Sequence, residues 1–140
     1  KFNTIHVKDM SKMFKHAHTF NQSLDDLFTE EVTDMSEMFS YAINFNGKIG
    51  DWDVINVRNM SDMFSHAYRF NQPLRWWWQR GTKINNMSRM FYNATSFNTP
   101  IKLNARLRSK INTTDMFTGA TSVTFNQEEI WHMSPITPYT

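Results

Sequence analysis

Apolar positions along this chain keep a helical beat that restarts at a fixed interval. Val7, Met10, Phe14 and Ala17 are separated by three, four and three residues, with Met13 beside them, which predicts one apolar face of a short helix. Asp9 stands where an N-cap would, and Asp34 with Glu37 has the spacing of a reciprocal capping pair. Phe20-Asn21-Gln22-Ser23-Leu24 follows and predicts a short strand. A return stretch, clearest in Gly50-Asp51-Trp52-Asp53-Val54-Ile55-Asn56-Val57, then places a large apolar residue ahead of a polar turn.

The whole unit recurs. Asp9-Met10-Ser11-Lys12-Met13-Phe14 returns as Asp34-Met35-Ser36-Glu37-Met38-Phe39, as Asn59-Met60-Ser61-Asp62-Met63-Phe64 and as Asn86-Met87-Ser88-Arg89-Met90-Phe91. A worn copy, Thr113-Thr114-Asp115-Met116-Phe117, comes fifth. The anchors Met10, Met35, Met60, Met87 and Thr113 give intervals of 25, 25, 27 and 26 residues, the range of stacked repeat proteins. Residues 1–140 therefore read as a single repeat array. Because the first segment is already the late part of a coil, they also read as a fragment of a longer protein.

In such an array a recurring residue is first a packing requirement. Met10, Phe14, Met35, Phe39, Met60, Phe64, Met87, Phe91, Met116 and Phe117 are the expected core. Ala17, Ala42, Ala67, Ala94 and Ala120 mark close approach between coils. Stacked Phe-Asn-x-x-Leu segments would form a parallel sheet with roughly 4.8 Å between neighbours. Pro73 and Pro100 limit those strands to a few residues. Asn21, Asn46, Asn71, Asn98 and Asn126 would stack as a side-chain column, each amide bonding its neighbour.

Composition alters this picture in three ways. Hydrophobic residues at 40% and charged residues at 20% suit a folded chain, but the 12 Phe and 10 Met come largely from the repeat. Without Cys there is neither a disulfide framework nor a thiolate metal site, and no apolar run is long enough to span a membrane. The net charge of +2 hides a polarity: residues 1–66 carry six Lys or Arg against ten Asp or Glu, and residues 67–140 carry nine against three. No acid lies between Asp62 and Asp115.

The assembled unit, with Trp52-Asp53-Val54-Ile55-Asn56-Val57 as its return, resembles the 26-residue repeat of bacterial surface proteins, the mycoplasma-lipoprotein-type domain of unknown function. It is also similar to the BspA-type leucine-rich repeat, in which an AF pair, a small residue and an LxxI strand take the places of Met13-Phe14, Ala17 and Phe20 to Leu24. The resemblance implies an α/β fold: a right-handed, leucine-rich-repeat-like solenoid of about five 25–27-residue coils, each a short helix plus a short parallel strand. It implies display at a cell surface, adhesion or protein contact, and no catalytic residues. Proteins of this type in large DNA viruses add the virion as an alternative location.

The candidate binding site is an aromatic and basic ledge of coils three to four. Coils lengthen there through Arg75-Trp76-Trp77-Trp78-Gln79-Arg80-Gly81-Thr82-Lys83, and solenoid insertions project from one side, often the binding side. In an extended segment Trp76, Trp77 and Trp78 alternate sides, so at least one is exposed as an anchor. Arg75, Arg80, Lys83, Arg106 and Arg108 would set the partner's orientation. The competing reading folds the loop back, with two Trp covering the core and the third partly exposed. The expected partner is a protein or a neighbouring subunit, with an anionic surface as a further option and nucleic acid disfavoured for want of a motif.

No catalytic, metal or cofactor site emerges. His16 and His66 share a coil position two coils apart, about 10 Å between backbones, too far for one metal. The adjacent acids Asp25-Asp26, Glu30-Glu31 and Glu128-Glu129 point apart. Ser11, Ser36, Ser61 and Ser88 have no His or Lys at a repeating offset. Asn21, Asn59, Asn86, Asn93 and Asn112 open glycosylation sequons that the repeat itself largely generates. The expected function is a non-enzymatic repeat scaffold for protein contact or adhesion; the alternative is a structural component of a large assembly, held by neighbouring subunits.

Overall fold

A computed structural model describes residues 3–78 and 81–133. Among them there is no α-helix. Regular structure is limited to 3-10 turns at Arg75–Trp77, Ala105–Leu107 and Gln127–Ile130 and to two parallel two-residue strands, β1 (Leu103–Asn104) and β2 (Trp131–His132). The expected α/β solenoid of helix-plus-strand coils, leucine-rich-repeat-like, is thereby overturned. The repeat is built from turns.

The reason lies in where the backbone amides go. In an α-helix the Phe14 N–H would bond the Met10 carbonyl. It donates instead to the Met38 carbonyl of the next repeat at 2.9 Å, and Met10, Lys12 and His16 donate to Asp34, Ser36 and Ser40 at 2.9, 3.0 and 2.9 Å. The amides between them close tight turns within the repeat: Met13 to Met10, Lys15 to Lys12, Ala17 to Phe14 and Phe20 to Ala17. Turns of this kind need a left-handed residue, and Lys12 (φ 61) and His16 (φ 62) supply it. Their counterparts Glu37, Tyr41, Asp62, His66, Arg89, Asn93 and Asp115 do the same, with φ between 54 and 59, and Gly119 (φ 77) fills the last place. Consecutive turns bring every third or fourth side chain inward, which is also the spacing of a helix.

Asp9 does not cap a helix but closes the first of these turns. Its carboxylate accepts the Ser11 N–H at 2.8 Å, and Asp34, Asn59, Asn86 and Asn112 accept from Ser36, Ser61, Ser88 and Thr114 in the same way. Single parallel bridges run through these five residues and hold the repeats in register. The Phe-Asn-x-x-Leu segments are not strands either. Asn21 Oδ1 accepts the Asn46 N–H at 2.7 Å, Asn46 accepts from Asn71 at 2.9 Å, and Asn71 from Asn98 at 2.8 Å, so a side-chain oxygen stands where a strand would offer a carbonyl. Gly47 marks how tight this edge is: a Cβ there would lie 2.1 Å from the Gln22 carbonyl oxygen.

Inside, equivalent rings lie on one another. Phe14, Phe39, Phe64, Phe91 and Phe117 form one column with centroids 5.5, 5.6, 5.4 and 5.7 Å apart and planes within 6°. Phe20, Phe45, Phe70 and Phe97 form a second, and within each repeat the two rings stack at 3.8 to 4.4 Å. Met35, Met38, Met60, Met63, Met87 and Met90 are fully buried around them. A non-glycine residue in the left-handed region costs about 1–2 kcal/mol. Each interior repeat carries two such residues and buries two Phe, each contributing about 1.5–3 kcal/mol, together with two Met, so packing offsets the strain.

Replacing one ring should break this column locally. Phe64→Ala is expected to destabilise the fold by about 3–5 kcal/mol in chemical denaturation; a loss below about 1 kcal/mol would mean that the column does not carry the fold.

Candidate functional site

The return segments of successive repeats lie against one another on one side of the stack. Trp52 donates its indole N–H to the Leu24 carbonyl at 2.8 Å, and Trp77 donates to the Ile49 carbonyl at 3.0 Å. The two indoles stack at 6.0 Å and 10°. Trp77 is therefore a core residue, 1% exposed, and Trp78 beside it is 6% exposed with its ring tilted 59° to Trp77. Trp76 is half-buried. This corrects the reading of Trp76, Trp77 and Trp78 as projecting anchors and matches the fold-back arrangement. An extended segment would alternate sides, but Arg75–Trp77 is a 3-10 turn, whose period of three lets neighbouring indoles reach different walls of one core. Arg80 lies outside the described residues.

The cations of the predicted ledge do remain at the surface. Arg75, Lys83, Arg106 and Arg108 are exposed. Lys83 Nζ donates to Asn56 Oδ1 at 2.7 Å, and Arg108 pairs with Glu128 while its guanidinium sits 5.7 Å from the Trp131 ring. Arg106 sits on a turn whose amide donates to Asn104 Oδ1. Among the described residues neither Arg75 nor Arg106 makes an ion pair. Arg75 borders an open groove of about 330 Å³ with Asp25, Lys48, Asp51 and Gln72. Gly50 forms part of its wall, where a Cβ would lie 2.4 Å from the Pro73 carbonyl oxygen. Burial, with Asp51 nearby, raises the Asp25 carboxyl above the usual carboxylate value.

Of the predicted Asn series, four members form the column. Thr124 stands in the fifth place, its N–H donating to Asn98 Oδ1 at 2.8 Å, while Asn126 caps the Gln127–Ile130 turn by accepting the Glu128 N–H. All the predicted core residues except Phe14 are buried; Phe14, in the first repeat, is half-buried against the core.

A second surface column did not stand out in the sequence because its members differ in type. His16, Tyr41 and His66, all at the second left-handed position, stack at 5.0 and 4.2 Å, and Tyr92 follows at 5.6 Å with Arg89 over its ring. Aligning the residues that precede each conserved Ala would have revealed it. His66 has both ring nitrogens occupied: Asn93 Nδ2 lies 3.1 Å from Nε2 and Ser65 Oγ 3.0 Å from Nδ1. An amide N–H can only donate, so Nε2 is the acceptor and the ring is neutral. Burial first, then the Arg89 charge, hold its pKa below the ordinary histidine value, against a smaller opposing pull from Asp62.

Two outcomes follow. A lowered folded pKa favours the neutral ring, so this contribution to stability is complete above the ordinary histidine pKa and is lost as pH falls through the folded value. His66→Phe should accordingly lose less melting temperature than the wild type on acidification to about pH 5, and an equal loss would remove His66 from the account. Trp77→Ala should cost about 3–5 kcal/mol of folding stability; a near-neutral effect would place that indole outside the core.

Among the described residues no helix is long and apolar enough to cross a membrane. No curated protein and no solved structure matches the chain. One family model does match, over residues 9–132, the span that contains the stacked turns, the Phe columns and the exposed cations. The chain therefore belongs to the family described as Mycoplasma protein of unknown function, DUF285.

Proposed function

We propose that this chain is a non-enzymatic repeat scaffold that binds a protein partner through the cationic edge of its third and fourth repeats. The observation that carries this reading is the state of the charges there. Arg75, Lys83 and Arg106 are exposed in a stretch of sequence without a single acid between Asp62 and Asp115. Exposed cations favour an acidic partner by steering it. The buried indoles contribute stiffness to this edge and not contact area, which shifts recognition from aromatic anchors to charge. Likeness to repeats of bacterial surface proteins supports display at a cell surface.

Immobilised polyglutamate is a direct probe of the edge. The wild type should bind it with an affinity that falls as salt rises, and Arg75→Glu with Arg106→Glu should weaken binding at least about tenfold while leaving the melting temperature nearly unchanged. Binding unchanged in the double variant would defeat the reading.

A further inference from the structure

On the side of the stack, the position that follows Leu24, Ile49 and Leu74 is filled by Asp25, Gly50 and Arg75. An acid and a cation thus share one column with a glycine between them. At roughly 4.8 Å per repeat, about 10 Å separates their backbones. Gly50 puts no side chain into that interval, and the Pro73 carbonyl oxygen approaches so closely that a Cβ would stand 2.4 Å from it. The gap is the open groove of about 330 Å³, lined by residues of three consecutive repeats, so it runs along the side of the stack. Small-ligand sites occupy roughly 300–1,000 Å³, which puts this one in the range of a few-atom guest.

Its charges differ from those elsewhere on the surface. Opposite charges on neighbouring repeats otherwise find each other: Lys15 with Glu37 at 2.5 Å, Arg89 with Asp62 at 3.0 Å. Around the groove Asp25 and Asp51 are acids and Lys48 and Arg75 are cations. Among the described residues none of these side chains takes part in an ion pair. Burial first and Asp51 second raise the Asp25 carboxyl, and Lys48 offsets this only in part. The acidic end is therefore short of positive charge.

Such a lining selects by sign. A simple anion drawn to Arg75 and Lys48 is opposed by the acids, and a simple cation drawn to Asp25 and Asp51 is opposed by the bases. A molecule carrying both signs a few bonds apart meets neither objection.

We infer that the groove binds a small zwitterion with a primary ammonium and a carboxylate, the chemistry shared by free amino acids and short peptides. The ammonium lies against Asp25 and Asp51 and the carboxylate against Arg75. The site shares Arg75 with the cationic edge but does not rest on that reading, because its acids belong to the groove alone.

Isothermal titration calorimetry with L-alanine and with L-alanyl-L-alanine tests it, the first standing for a free amino acid and the second for a short peptide. At least one should bind at millimolar concentration. N-acetylation or C-amidation of that probe should each weaken binding at least about tenfold, through loss of a charge-assisted contact. Asp25→Asn with Asp51→Asn should abolish binding of the same probe at an unchanged melting temperature, while polyglutamate binding persists. The inference is overturned if neither probe binds the wild type, if the blocked forms bind as tightly as the free one, or if the double variant keeps its affinity.

Discussion

The structure depends on one interaction above all: a backbone amide that donates to the next repeat instead of to its own. Every second amide of the Met-Ser-x-Met-Phe segment is committed in this way, at 2.8 to 3.0 Å across all four junctions. That commitment forbids a helix, since a helix needs the same amides internally. It also forbids a plain strand, because the amides in between must close turns. What remains is a chain that bends at each left-handed residue and satisfies its donors by alternation. Backward bonds, such as those of Thr33 and Asp34 to the Lys8 carbonyl at 2.7 and 3.4 Å, secure the register at the start of each segment.

Packing follows from that register. Identical residues fall on one another, so the side chains that pack best are flat ones that tolerate a neighbour of the same kind. Phe supplies the two columns, and Met, flexible and unbranched, fills the irregular space around them. Ala42, Ala67 and Ala94 leave no exposed surface, consistent with the close approach their size permits. In the last repeat the arrangement loosens: Val123 takes the place of the second Phe, and Phe125 meets Phe117 edge-on at 82°.

How much of this was legible in the residues depended on what each signal measures. The period fixes register, so the Phe14-to-Phe117 column and the Asn21-to-Asn98 column could both be read in advance. Spacing within a unit is a weaker signal, because an α-helix and a run of turns bonded three residues apart both bring residues i, i+3 and i+4 to one side. Lys12, at a position that demands positive φ, carried no mark of it; among its counterparts Asp62, Asn93, Asp115 and Gly119 are types that favour it, scattered too unevenly to show a pattern. Alternation across Trp76 to Trp78 failed for a similar reason, since it presumed an extended backbone where a 3-10 turn forms. Asn126 was misplaced by two residues because the worn fifth repeat puts Thr124 in the column and gives that Asn a capping task.

Peptide groups that all point the same way add their moments. Four amides per junction face forward and two or three face back, counting those that bond an Asn side chain, so only a small axial moment survives, opposite in sense to that of an α-helix. Each repeat therefore adds little to the field along the stack, and the surface charges set that field instead.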